Sequence, residues 1–284
     1  MAHVVNHKLV YMQRFGTNLT LCREQGNLVG QPIPVGPEYI YIALVEQGHN
    51  IYRIDGSDYE VGTGDMLVLI HTKSTVEENR SEDFCARIAL LSRAYVQYLN
   101  IPNAYRMFLS LRRCPVLHLD VESQQQMGNC FNLISSTLRQ ENNSYRKHTI
   151  YYAVKTYLFT LAFLSQGEQS RIPSREEDMA MRFMDLLEEN YRQEHSVAFY
   201  AEQMHLTPKY LSASVKIALG KPAIDCIAQR LMTQAQKMLS QPELTISEIC
   251  YSLGFQSPSA FGKFFRTHTG IGPREWRQSK LTVD

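Results

Sequence analysis

The stretch Thr245-Ile246-Ser247-Glu248-Ile249-Cys250-Tyr251-Ser252-Leu253-Gly254-Phe255-Gln256-Ser257-Pro258-Ser259-Ala260-Phe261-Gly262-Lys263-Phe264-Phe265-Arg266 decides the fold of its half of the chain. Thr245 followed three residues later by Glu248 is a capping box, so a helix starts there, with Ile246, Ile249, Cys250 and Leu253 on its apolar side. Ser257-Pro258 is a second start signal, a hydroxyl N-cap before a proline at the first helical position. The helix it opens carries Phe261 and Phe265, four apart and facing inward, and stops near Gly270, suited to a left-handed C-cap, with Pro273 beyond. A short helix, a tight turn and a second helix with a buried i, i+4 pair form a helix-turn-helix pattern.

The same signals occur once more, about fifty residues earlier. Ser196 caps a helix with Val197, Ala201 and Met204; Thr207-Pro208 opens the next; Leu211 and Val215 match Phe261 and Phe265; Gly220 and Pro222 match Gly270 and Pro273. Ala201 and Cys250, both small, hold matching mid-helix positions where a second helix can cross closely. One copy would be weak, because any helical hairpin imitates it. Two in register define units at about 197–218 and 246–268, with recognition helices at about 207–218 and 257–268. Between them a long helix starts at Lys221-Pro222, is striped by Ile224, Ile227, Ala228, Leu231, Ala235 and Met238, and stops at Gln241-Pro242. About eighteen residues span roughly 27 Å, against ~34 Å between successive major grooves on one face of DNA. One chain can therefore offer two recognition helices.

Arg230-Leu231 with Ala235, Ile246-Ser247-Glu248-Ile249, Gly254-Phe255, Phe261, Phe264-Phe265-Arg266 and Gly270-x-x-Pro273 resemble the AraC/XylS family of transcription regulators, over roughly residues 175–280. The resemblance implies a C-terminal domain (175–284) that binds double-stranded promoter DNA, with RNA polymerase as a further partner. It also implies an N-terminal domain (1–170) that senses a small-molecule effector or dimerises, giving a homodimer through that domain. Base readers are implied at positions matching Lys209, Ser212 and Ala213. On the residues themselves, the outward set is Lys209, Tyr210, Ser212, Ala213 and Lys216 in the first unit, and Ser259, Ala260, Gly262, Lys263 and Arg266 in the second. Lysines on an exposed helix face are usually just solvated; two registered units reverse that expectation for Lys209 and Lys263. Lys263 is the best single base-contact candidate, and Lys216 and Arg266, in equivalent positions, suit phosphate. Phe255, Phe261 and Phe265 read as core, and Trp276 as a pin for the last helix.

The N-terminal ninety or so residues have a strand texture: Lys8–Phe15, Leu19–Arg23, Tyr39–Glu46, Asn50–Ile54, Asp65–His71 and Phe84–Leu91. Asp55-Gly56 and Gly62-Thr63-Gly64-Asp65 are tight-turn chemistry, and Gly30–Pro37, with three prolines, is a loop. Such strands favour a sandwich or small barrel, and the Gly64-Asp65 turn resembles the cupin-like domain often found upstream in the family. Two helices follow, striped by Met127, Phe131, Ile134 and Leu138 and by Ile150, Val154, Tyr157, Leu158 and Leu161; they form a hairpin that covers the barrel or a dimer interface. Gln166–Ser174 is the domain boundary. The expected fold is α+β with two domains: a cupin-like β-barrel with a helical hairpin, then an all-α domain with two helix-turn-helix units joined by a long helix.

Composition bounds the function. The chain of 284 residues has net charge +1, yet from His195 onward it holds 10 Lys/Arg against 6 Asp/Glu, which suits a polyanionic partner. Six scattered cysteines without a C-x-x-C pair give no zinc or disulfide framework, pointing to a reducing cytoplasm. They also argue against the zinc-bearing repair methyltransferase to which some relatives are fused. No stretch is long and apolar enough to span a membrane. His49 and His71, alone among the strands, form no His-x-His, so neither metal nor cofactor is expected. No nucleophile-elbow, P-loop or dinucleotide motif appears, which leaves a cupin-like enzyme fused to a DNA-targeting module only as the alternative. Tyr11, Tyr39, Tyr41 and Tyr52 are open between pocket and strand packing.

Overall fold

The structure is a computed structural model that describes residues 8–25, 38–70, 75–101, 104–166 and 173–281. The chain divides into two compact units, residues 1–172 and 173–284. Within the first, the strands are β1 (Lys8–Phe15), β2 (Leu19–Gln25), β3 (Tyr39–Gln47), β4 (His49–Ile54), β5 (Ser57–Gly62), β6 (Asp65–Ile70), β7 (Thr75–Arg80), β8 (Cys85–Ser92) and β9 (Val116–His118). They pair antiparallel in a six-stranded sheet, β1-β2-β8-β3-β6-β9, and a three-stranded sheet, β5-β4-β7.

The apolar run of β3 explains the layering. Successive strand side chains point to opposite faces, and here both faces are covered. Ile40, Ile42 and Leu44 join Leu19, Leu21, Met66 and Val68 in a core shared with helices. Tyr41, Ala43 and Val45 join Tyr52, Ile54 and Val61 of the smaller sheet. The helices are α1 (Arg93–Tyr98), α2 (Ala104–Arg113), α3 (Val121–Leu138) and α4 (Arg146–Leu164), and the stripes read in α3 and α4 are buried against the larger sheet. The unit is therefore helices, a six-stranded sheet and a three-stranded sheet in layers.

Among the described residues the strands do not close into a barrel; they form two facing sheets, the sandwich form of the expected strand-rich domain. The chain passes from one sheet to the other through a single residue, Gly48 at φ +76°, where a Cβ would overlap Ser81 and the Phe84 backbone. Asp55 (φ +49°) and Gly56 (φ +89°) make the hairpin turn between β4 and β5 as read, both in the left-handed region that a type I′ turn requires. The strands β5, β7 and β9 escaped the sequence reading: β5 and β7 are rich in acidic and polar residues, and β9 is three residues long. Gly30–Pro37, His71 and most of the Gln166–Ser174 boundary lie outside the described residues, as does the Tyr11 side chain. Tyr41 and Tyr52 are buried between the sheets, with Tyr39 partly buried against them. No helix among the described residues is long and apolar enough to cross a membrane.

The second unit is helical: α5 (Arg175–Asn190), α6 (Val197–Gln203), α7 (Pro208–Leu219), α8 (Ala223–Leu239), α9 (Ile246–Ser252), α10 (Pro258–Thr269) and α11 (Pro273–Leu281). Ser174 and Glu177 form a capping box at the start of α5. The connecting helix α8 buries Ala223, Cys226, Ile227, Leu231, Met232, Ala235 and Leu239. Its stripe is thus rotated from the one read in the sequence, and Ile224 is 49% exposed. Arg230 of α8 ties α5 in place: its Nε lies 2.9 Å from both Glu188 carboxylate oxygens, and its guanidinium stacks 3.8 Å from the Tyr191 ring centre.

Candidate nucleic-acid interface

Each unit is built from the same caps. In the first, the Ser196 hydroxyl accepts from the Phe199 N–H (3.3 Å) at α6, and Thr207 from the Tyr210 N–H (3.2 Å) at α7. In the second, Thr245 accepts from the Glu248 N–H (3.2 Å), and the Glu248 carboxylate accepts from the Thr245 N–H (2.7 Å) in return. Those bonds from Thr245, backbone first and hydroxyl second, hold the Glu248 carboxyl below its ordinary range. Ser257 accepts from the Ala260 N–H (3.2 Å) at α10. Both recognition helices start with Pro at the first turn and end at a left-handed glycine, Gly220 (φ +77°) and Gly270 (φ +82°).

Packing fixes which faces remain. Leu211, Ser214, Val215 and Ala218 of α7, and Phe261 and Phe265 of α10, are buried. Phe255, half-buried, lies between the rings of Phe261 (5.3 Å), Phe264 (5.1 Å) and His195 (4.9 Å). Burial lowers the His195 pKa from its ordinary value. Trp276 of α11 meets Phe265 edge-on at 6.0 Å, the pin expected of it.

The candidate residues then fall together on two faces. Lys209, Tyr210, Ala213 and Lys216 are exposed on α7, with Ser212 half-buried beside them. Ser259, Ala260, Lys263 and Arg266 are exposed on α10, with Gly262 half-buried and open space where its Cβ would be. Neither helix contains an Asp or Glu, so the only charges on these faces are cationic. Two residues missed in the sequence join the first face. Ile217 is exposed there, and the Arg175 guanidinium sits 5.9 Å from the Tyr210 ring. Ile217 is one residue past the outward lysine Lys216, but an isoleucine on a helix reads as core; Arg175 belongs to a helix that no repeat marks. Among the described residues no group of three or more His, Cys, Asp or Glu side chains is placed to hold a metal ion.

Comparison with known proteins finds the following similarities. The family described as "Helix-turn-helix domain" matches residues 200–279. The lactose operon transcription activator of Staphylococcus xylosus is 22% identical over 238 residues, covering 82% of this chain and 82% of its own length. The arabinose operon regulatory protein of Salmonella typhimurium is 22% identical over 249 residues, 86% of this chain and 85% of its own. The C-terminal domain of AraT, a response regulator from Geobacillus stearothermophilus, is 26% identical, covers 37% of this chain and 88% of its own, and superposes with a TM-score of 0.35. Two capped, cation-faced helix-turn-helix pairs, the matched domain and relatives that regulate operons point the same way: residues 200–279 carry a helix-turn-helix domain, and the chain is similar over most of its length to DNA-binding transcription regulators of the AraC/XylS kind.

Proposed function

We propose that this regulator places α7 and α10 in successive major grooves of promoter DNA, with Lys263 reading a base edge, Lys209, Tyr210, Ser212, Ala213, Ser259 and Gly262 lining the two contacts, and Lys216 and Arg266 on phosphates. The observation that carries the reading is the absence of any carboxylate from both helices, which face solvent with Lys209 and Lys216 on α7 and Lys263 and Arg266 on α10. The 17 residues of α8 give a spacer of roughly 26 Å, within reach of the ~34 Å groove repeat once side chains extend from each end.

The N-terminal unit is the regulatory half, answering to an effector or to a second copy of the chain. The relatives of lactose and arabinose operons match through this half as well as the other. Two structural features support a regulatory role. Asn50 is fully buried between the sheets with neither amide atom hydrogen-bonded, a costly state unless a ligand satisfies it. On α4, Tyr145 at the N-cap, Tyr152, Phe159 and Phe163 are exposed at spacings of seven, seven and four on the side opposite the buried stripe. A helix apolar on all sides wants cover on all sides, and a second α4 supplies it in a homodimer. Promoter binding in the cytoplasm, next to RNA polymerase, completes the reading.

Selection of bound DNA from a random pool tests it, returning a site whose two recognised segments lie one helical turn apart. Affinity for that site should fall steeply with salt as bound counterions are released; a flat response overturns DNA as the main partner. Exchanging Lys263→Ala should weaken binding by about 1–3 kcal/mol and relax preference at one base pair. Unchanged affinity and preference would remove Lys263 from the interface.

A further inference from the structure

On the helical side of the six-stranded sheet, a cleft of about 460 Å³ opens between the sheet and α3, lined by Arg23, Arg87, Asn132, Ser135, Ser136 and Arg139 with Leu133 at its edge. We infer that it is a binding site for a small organic phosphate, a phosphate monoester on a hydroxylated carbon skeleton.

The arginines are placed with some care. Arg23 of β2 and Arg87 of β8 stand directly opposite in the strand register, where two like charges repel. A single carboxylate, Glu46, holds both: its oxygens lie 2.8 Å from Arg23 Nε and 2.5 Å from Arg87 Nη2. Glu46 sits where the β3–β8 register shifts between Val45 and Gln47, an irregularity that turns a strand residue toward its neighbours. On α3 the stripe Gly128, Asn132, Ser135, Arg139 runs beside the buried stripe Met127, Phe131, Ile134, Leu138. Gly128 makes room for the guanidinium, since a Cβ there would stand 3.1 Å from Arg87 Nη1. A glycine inside a helix costs about 1 kcal/mol relative to alanine, so α3 gives up stability to seat Arg87. The Ser135 hydroxyl donates to Gln13 Oε1 (2.9 Å) and accepts from Arg139 Nη1 (3.3 Å), which fixes the polar wall of the cleft.

The chemistry follows from the charges. Among the described residues, three guanidiniums against the one carboxylate of Glu46 leave an excess of two positive charges at the cleft. A phosphate monoester near neutral pH carries about −1.5 to −2, and the arginine fork matches phosphate oxygens two at a time. A volume of about 460 Å³ exceeds what a bare anion fills and lies in the range of small-molecule sites. The hydroxyls of Ser135 and Ser136 and the amide of Asn132 suit the hydroxyl groups of the remainder. This site is on the face of the larger sheet away from Asn50, and it stands independently of the DNA interface.

The test uses the full chain with glucose 6-phosphate, inorganic phosphate, glucose and citrate, read by calorimetry and by thermal unfolding. Glucose 6-phosphate should bind and raise the unfolding temperature, inorganic phosphate should bind more weakly, and glucose and citrate should leave it unchanged. Arg139→Gln, which removes an exposed guanidinium without emptying the core, should weaken glucose 6-phosphate by about tenfold, the worth of one charge-assisted hydrogen bond. Arg23→Met gives a second reading from the opposite wall and should weaken it at least as much. No binding by either phosphate, tighter binding of citrate, or equal binding by both variants and the parent chain overturns the site.

Discussion

In the first helix-turn-helix unit the turn between α6 and α7 passes through His205 at φ +55°; in the second, the equivalent turn passes through Gly254 at φ +73°, packed against the Arg192 carbonyl. The first helix of the first unit is capped by the Ser196 hydroxyl alone, and the unit buries aliphatic Leu211 and Val215. The second has a reciprocal Thr245–Glu248 box and an aromatic cluster from Phe255 to Trp276. Outward, the order of chemistry also differs: small Ser212 and Ala213 lie between Lys209 and Lys216, whereas Gly262 and Lys263 sit together ahead of Arg266. Inward positions follow one packing rule in both copies, because the crossing of two short helices leaves room for only certain side chains. Outward positions answer to no such rule within the protein, and there the copies diverge. The comparison predicts a rigidly framed second reader and a more loosely framed first one.

The largest expected effect attacks the frame of the second unit. Gly254→Ala adds a Cβ that meets the Arg192 carbonyl and forces a left-handed backbone on alanine. It should cost about 3 kcal/mol in the urea transition of the C-terminal unit, strain and overlap together. An unchanged midpoint would mean that the end of α5 does not brace the second turn, and the claimed asymmetry of the frames would lose its main support.

Next come the caps. Thr245→Ala breaks both directions of the box and should cost about 1–2 kcal/mol, against about 0.5–1 kcal/mol for Ser196→Ala, which loses one bond. The first difference is also pH-dependent. The Glu248 pKa is lowered in the folded state from its ordinary 4.5. Its contribution is therefore complete above that ordinary value and is lost as pH falls through the depressed folded value. The gap between Thr245→Ala and the parent should narrow in acid while that of Ser196→Ala stays constant. Equal losses for the two variants at neutral pH would erase the distinction between the caps.

How much of this was legible in the sequence depends on where the information is local. Caps, stops and buried pairs act within one turn of helix, so Thr207-Pro208, Ser257-Pro258, Gly220 and Gly270 were readable and stand where they were read. The strands with apolar runs, β3, β6 and β8, were readable for the same reason. What was not local was missed. The polar strands β5 and β7 owe their place to pairing with β4, which no run of their own residues announces. The first crossing between the two sheets turns on one residue, Gly48, and on neighbours more than thirty positions away. The rotated stripe of α8 was misread because Ile224 is apolar yet faces outward, while Cys226 and Met232 do the packing. On the candidate faces, the lysines are read from their register, but Arg175 reaches Tyr210 from a helix outside the repeat.

The smallest effect is the most discriminating, because it runs in the opposite direction. His205 is exposed and holds a left-handed conformation, which a side chain with a Cβ adopts at a cost of about 1–2 kcal/mol, less for a polar residue. His205→Gly removes that strain and pays part of it back, since glycine loses more freedom on folding. A net gain of about 0.5 kcal/mol in the C-terminal transition is expected, with DNA affinity unchanged because the exposed cations of α7 keep their places. The second unit has this relief built in at Gly254, so the same helix-turn-helix frame is relaxed in one copy and strained in the other. A loss of stability in His205→Gly would show that the imidazole itself supports the first turn. The two frames would then differ in kind, each with its own lock, and the first would no longer be a looser version of the second.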